Sequence, residues 1–177
     1  MPISDNPNYP KGHFTRVYEY IIKPACILAG FKPIRADDVL NTNHIALDIL
    51  KKIIDSDMAL CDLSNQNPNV LYELGIRQAF NKPVTLIKDS KTNRVFDIQG
   101  FRDLEYDENL RIDNVQEIVE NLAEIIKITY ADRENQVNSL VAKKCSHLLQ
   151  SHEDQSTQCS YGGEHACNEI VPVQNYS

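Results

Sequence analysis

No apolar run in this 177-residue chain approaches the roughly 20 residues that span a bilayer. The opening stretch, MPISDNPNYPKG, also lacks a basic segment followed by an apolar one, so it does not read as a secretory signal. Both absences lead to the expectation of a cytoplasmic protein without a membrane partner. An excess of basic charge is missing too. The formal net charge is −7, which argues against non-specific nucleic-acid binding, since that needs a positive field. A small anionic ligand held by backbone groups and a few local cations remains compatible with it. Paired cysteine spacing is the last absence. Cys26, Cys61, Cys145, Cys159 and Cys167 are odd in number and scattered, which suits free thiols better than a disulfide framework. Cys159, His165 and Cys167 lack the C-x2–4-C pairs of four-ligand zinc sites, so no metal and no cofactor is expected.

What is present is an ordinary globular balance, 42% hydrophobic and 24% charged, in a chain long enough for one domain with a full core and some tail. Val17, Tyr20, Ile21, Pro24 and Leu28 recur at helical spacing and predict a helix from Phe14 to Ala29. Pro24 should disturb it and Gly30 should stop it. Phe31 to Arg35 reads as a short strand. Thr42 or Asn43 can cap a helix to about Ser56 that turns Ile45, Ile49, Leu50, Ile53 and Ile54 inward. Met58 to Cys61 and Val84 to Ile87 are continuous apolar runs of the kind found in parallel strands buried on both faces. Between them, Asn67 and Pro68 open a helix to about Phe80, Asn as N-cap and Pro at the first position, where its missing N–H costs nothing. Asp89 to Gln99 reads as a loop and Asp103 to Tyr106 as an edge strand. Asp113 caps a long amphipathic helix carrying Val115, Ile118, Val119, Leu122, Ile125 and Ile126.

Alternating strands and helices predict an α/β fold: a flavodoxin-like, doubly wound parallel sheet with helices on both faces. The domain is expected over residues 1–130, with a further helix within 131–150. Residues 151–177, rich in Ser, Gln, His and Glu, read as a disordered or loosely docked tail. Truncation after Gln150 is accordingly expected to leave the thermal midpoint nearly unchanged. The first strand of such a sheet is missing or truncated, because Met1-Pro2-Ile3 already reads as loop. That predicts a true start upstream of Met1, or a fragment.

Ligands of open parallel sheets bind beyond the carboxyl ends of the strands. The acidic residues expected at that edge are Asp37 and Asp38, Asp62 and Glu73. The helix start after Asp62 points backbone N–H groups the same way. Each acid also has a plain structural reading. Asp62 can close a turn through its side chain. Asp37 and Asp38 can cap a loop. Glu73 can pair with Arg77 at i+4 on a solvated face, although Leu71, Tyr72, Leu74 and Ile76 around it are apolar.

The run DLSNQNPNVLYELGIRQAFNKPVTLI, Asp62 to Ile87, resembles the signature of the nucleoside 2-deoxyribosyltransferase-like superfamily. It is especially similar to a bacterial, TIR-like branch with Asp–Leu–Ser/Thr, Asn–Pro–Asn–Val and Tyr–Glu–Leu–Gly. The resemblance is specific over Asp62 to Ile87 and architectural over the rest of residues 1–130. It implies a flavodoxin-like fold and cleavage or transfer at an N-glycosidic bond. The family's catalytic glutamate falls on Glu73, its strand-terminal aspartate on Asp62, and its Asn–Pro–Asn turn on Asn67, Pro68 and Asn69. The chain departs from the family in keeping only Met1-Pro2-Ile3 of the opening strand. It also has Asn69-Val70-Leu71 where the transferases carry an acidic Gly-Thr-like stretch.

The resemblance implies a chemistry these residue types can perform. An N-glycosidic bond breaks through an oxocarbenium-like state, which a carboxylate below the sugar carbon stabilises or attacks. A second acid protonates the departing base or holds a sugar hydroxyl. Glu73 takes the first role and Asp62 the second. Asn67, Asn69, Asp37 and Asp38 are expected to contact substrate, with Arg35, Lys11 and His13 as cations for a phosphate. The expected function is a nucleoside or nucleotide N-glycosidase (a hydrolase) or glycosyltransferase, with NAD among the candidate ligands. Its alternatives are a nucleotide-binding module without turnover and an interaction domain that self-associates. A homo-oligomer is expected from the long apolar helix after Asp113.

Overall fold

The computed structural model describes residues 1–2, 6–35, 45–94, 101–134 and 169–173, with side chains of 45–48 and 169–173 not among them. The first helical segment is continuous: α1 (His13–Val17), a π turn (Tyr18–Ile22) and α2 (Lys23–Leu28). The disturbance expected from Pro24 is that π turn. Pro24 has no N–H for the carbonyl one turn earlier and its ring would strike it; the wider π turn relieves both. Gly30, at φ +88°, ends α2. Its N–H donates to the Ile27 carbonyl at 3.0 Å and the Phe31 N–H to the Cys26 carbonyl at 2.9 Å, the paired closure that a left-handed residue permits.

β1 (Lys32–Pro33) follows, then α3 (Ile45–Asp55), β2 (Met58–Asp62), a 3-10 turn (Ser64–Gln66), α4 (Pro68–Ala79), β3 (Val84–Asp89), β4 (Asp103–Tyr106), α5 (Ile112–Ala131) and β5 (Glu169–Val173). Asn67 caps α4 as expected, its side chain accepting the Asn69 N–H at 3.0 Å. Asn81, at φ +50°, ends that helix through the Lys82 N–H to the Arg77 carbonyl at 3.1 Å. Asp113 is not a cap: Arg111 holds that position without a side-chain bond, and Asp113 sits in the first turn of α5, where its charge suits the helix dipole.

The strands form one parallel sheet in the order β1-β5-β2-β3-β4. Side chains alternate across it. Met58, Leu60 and Ile87 join Phe14, Val17, Ile21, Ile22, Leu122 and Ile126 in a core under α1, α2 and α5. Ala59, Cys61, Val84 and Leu86 pack on the other face with Val70 and Leu74 of α4. The chain is therefore α/β with helices on both faces of a parallel sheet. β4 lies at an edge, as the sequence suggests.

The expected loose tail needs correction. Glu169–Val173 lies inside it, yet forms an inner strand, with Met58↔Ile170 to Cys61↔Val173 on one side and Lys32↔Glu169 and Pro33↔Ile170 on the other. The inner place between β1 and β2 is thus filled by a segment distant from both in sequence. The buried inner edge of β2 requires hydrogen-bond partners wherever they come from. Of the helix expected within 131–150, Ala131 ends α5 and residues 132–134 form a turn; the rest lies outside the described residues, as do Cys159, His165 and Cys167. Among the described residues, no helix is long and apolar enough to cross a membrane.

Candidate functional site

β2 delivers Asp62 to the carboxyl edge of the sheet, where the chain turns sharply before α4. Asn65 and Gln66 in that turn take φ values of 62° and 48°. This is the left-handed region, which non-glycine residues enter at a cost and which clusters at functional sites. Three bonds hold the turn there. The Asn65 N–H donates to Thr92 Oγ1 at 2.9 Å, the Gln66 N–H to the Leu63 carbonyl at 3.0 Å, and Gln66 Nε2 to the Asn93 carbonyl at 3.0 Å.

Asp62 is fully buried. Oδ1 accepts the Ser64 N–H at 3.0 Å and Oδ2 accepts the Tyr106 hydroxyl at 3.2 Å. The plain reading of Asp62 as a turn closer is thus satisfied by one oxygen, while the other is held by a residue of β4. Ser64 Oγ accepts the Asp89 N–H at 2.8 Å and lies 2.9 Å from the Tyr106 hydroxyl. With Asp62 ionised, the Tyr106 proton goes to Asp62 and the Ser64 proton to Tyr106. The carboxylate of Asp89 completes the cluster, taking the Tyr9 hydroxyl at 2.6 Å and the Thr92 N–H at 2.7 Å. The ends of β2, β3 and β4 are thereby tied together through side chains.

Burial dominates the electrostatics here. It pushes the Asp62 carboxyl above its usual range, against the opposing pull of the Met1 amino group and the Ser64 bonds. It pushes the Tyr106 hydroxyl well above 10, helped by the Asp62 charge. The Tyr9 hydroxyl rises to about 12 through burial and its bond to Asp89. The buried Met1 amino group is lowered by desolvation, with Asp62 and Glu73 both pulling the other way.

Glu73 is 3% exposed on the sheet side of α4. The plain reading of a surface pair with Arg77 does not hold. Arg77 is completely buried and aims its guanidinium at the carbonyls of Ile53 (2.5 Å), Ser56 (2.8 Å) and Pro83 (3.1 and 3.2 Å). Glu73 instead lies within electrostatic reach of Cys61 and of the Met1 amino group. By strand alternation Asp62 shares the face of Met58 and Leu60, whereas α4 packs on the face of Cys61. The two acids therefore approach the Met1 amino group from opposite faces of the sheet.

Asn67 serves as the α4 cap, and Asn69, half-buried, supplies the N–H it accepts. Asp37 and Asp38 lie outside the described residues. Arg35 stacks over the Tyr18 ring, 4.9 Å from its centre, and is within electrostatic reach of the Met1 amino group. Lys11 is exposed, and its carbonyl accepts Arg16 Nη1 at 2.9 Å. His13 does not offer a cation: it is buried against Tyr9 and Phe14, and burial first, then Arg16, pushes its pKa down.

An open recess of about 230 Å3 lies beside this cluster, lined by Asn8, Tyr9, Asn65, Gln66, Lys91, Thr92 and Asn93. Its walls are amides, hydroxyls and one ammonium, suited to a polar or anionic ligand. A larger groove of about 720 Å3, with Asp57, Phe80, Lys82, Tyr130 and Arg133 on its walls, opens where β2 and β3 begin. That is the opposite edge from the acid cluster, so size does not decide between them.

Sequence reasoning missed Ser64, Asp89, Tyr106, Tyr9 and Thr92. One signal was available: Asp89 closes an apolar parallel strand just as Asp62 does. Tyr106 and Tyr9 gave none, because only the pairing of β4 beside β3 brings Tyr106 to Asp89. No family model, curated protein or solved structure matches the chain.

Proposed function

We propose that the chain handles a nucleoside or nucleotide at the carboxyl edge of its sheet and acts there on an N-glycosidic bond. We read the strand order β1-β5-β2-β3-β4 as flavodoxin-like, with β5 in the place of the opening strand. The switch point of such a sheet falls between β5 and β2, beside Asp62, where ligands of doubly wound sheets sit. The observation that carries the reading is the state of Asp62. A fully buried carboxyl with a raised pKa, oriented by Tyr106 and Ser64, is what a proton donor to a departing base requires. Glu73 supplies the negative charge that an oxocarbenium-like state demands. Both acids are buried and lie within electrostatic reach of the Met1 amino group.

The second reading is a nucleotide-binding module without turnover. The recess favours it, since neither Asp62 nor Glu73 lines that open space. The two readings part on one experiment: turnover of NAD and of deoxynucleosides, with binding measured alongside, for the wild type and Glu73→Gln. Loss of one negative charge at such a state costs on the order of 3 kcal/mol, a factor of about a hundred or more in rate. Turnover lost in Glu73→Gln with binding retained supports the enzyme. Binding without turnover in the wild type supports the module. Full activity in Glu73→Gln ends the catalytic reading.

A further inference from the structure

The slot between β1 and β2 cannot stand empty. Met58, Ala59, Leu60 and Cys61 are all fully buried and pair with β5, and Ala59 to Cys61 also pair with β3 on the other side. Without β5 their inner edge would expose unpaired backbone groups, a template for any extended strand. Yet the occupant is a weak one. Pro172, opposite Leu60, has no N–H to give to a ladder, and proline is rare in inner strands. On its other side β5 meets only Lys32 and Pro33, and Pro33 also lacks an N–H. The strand's grip therefore rests mainly on β2.

Nothing in those bonds requires the strand to come from the same chain. The principal neighbours of β5 are β1, β2, α3 and α4, all from the first half of the sequence. Residues 132–168 separate it from α5. At about 3.3 Å per residue, a stretch of that length can extend on the order of 100 Å, several times the width of a small domain. Docking within one chain and docking across two make the same contacts, so only effective concentration separates them. That advantage falls steeply as the connection lengthens.

We propose that Glu169–Val173 is a donated strand, exchanged reciprocally between two copies of this chain so that each fills the other's slot between β1 and β2. Reciprocal exchange closes with two-fold symmetry and leaves no free edge at either slot. In the dimer each copy supplies the strand beside its partner's Cys61 and Asp62, so the carboxyl edge described above is complete only with both copies present.

The register gives the test, because Ala59 faces Val171. Full-length Ala59→Cys and Val171→Cys are made separately with Cys145, Cys159 and Cys167 changed to Ser. Cys26 and Cys61 stay, since burial pushes both thiols up to about 12 and keeps them unreactive. The two variants are unfolded, mixed, refolded and oxidised. Exchange gives a disulfide-linked pair of one Ala59→Cys and one Val171→Cys chain, at least ten-fold above either variant oxidised alone. The unmodified chain is tested in parallel, by refolding light and isotopically heavy copies together and weighing them under native conditions; hybrid dimers are expected. A wild type that stays monomeric at every concentration overturns the proposal. So does a wild-type dimer whose folded cysteine variants give no 59–171 link between chains. Should the variants fail to fold, the hybrid dimer is instead examined by hydrogen exchange, and Met58–Cys61 must lose protection as dilution dissociates it; unchanged protection overturns the proposal.

Discussion

Replacing Arg77 with Gln should unfold this protein far more readily than a surface reading allows. The guanidinium is wholly buried and donates to the carbonyls of Ile53, Ser56 and Pro83, and to Ser56 Oγ at 3.2 Å. Ile53 lies in the last turn of α3 and Pro83 just precedes β3. One side chain thus closes the end of α3, the entry to β2 and the entry to β3, and its charge faces the negative pole of the α3 dipole. Hydrogen bonds from a charged donor contribute about 1.5–3 kcal/mol each, and a buried carbonyl left without a donor costs about 1–3 kcal/mol. Gln can restore one such bond, not three. Against this stands the cost of burying the guanidinium, visible in its pKa lowered to about 10, which the substitution relieves in part. The balance is a loss of about 3 kcal/mol, in line with breaking a buried charged cluster. For a chain of this size that is about 6–12 °C in Tm. Arg77→Lys should recover less than half, since one ammonium cannot span the fork. Urea unfolding of the three proteins measures it. A loss below about 0.5 kcal/mol, the value of an exposed i,i+4 pair, would refute the buried-clamp account.

Truncation after Gln150 removes β5 and should abolish a cooperative melt, because β2 loses the partner of its buried inner edge; an unchanged thermal midpoint would sink the inner-strand placement. Asp62 should make stability fall as pH rises. Its folded pKa lies above the unfolded 3.8, so the native state binds the extra proton, and stability is lost from about pH 4 up through the raised value. In Asp62→Asn this slope should vanish, and parallel Tm–pH curves for the two proteins would contradict it. His13 works in the other sense: its folded pKa lies below 6.5, so stability is lost as pH falls through that window, and His13→Phe should flatten this acid limb in the same Tm–pH series. Tyr106→Phe removes the donor to Asp62 Oδ2 and should raise the Asp62 pKa further at a cost of about 1–2 kcal/mol; a carbon-13 carboxyl titration that did not move would count against the bond.

Several features were legible because their causes lie within a few residues. Asn67 and Pro68 open α4 wherever that helix packs, Gly30 ends α2 through its own backbone, and the apolar runs at β2 and β3 are too continuous for a strand with a wet face. Asp62 and Glu73 stood out by the same local means, an acid closing a strand and an acid among apolar neighbours. What only tertiary structure decided depends on residues far apart in sequence. Glu169–Val173 sits among polar neighbours and carries a proline, which locally argues against an inner strand, but the unpaired edge of β2 outweighs that preference. Arg77 looked like a surface partner of Glu73 because helix spacing permits the pair; the carbonyls that claim it belong to α3 and the β3 entry, which no spacing within α4 reveals. Asp89, Ser64 and Tyr106 became one cluster only when β3 and β4 lay side by side. Caps and periodicities are local, whereas the choice of strand neighbours is a property of the whole chain's need to pair its buried backbone.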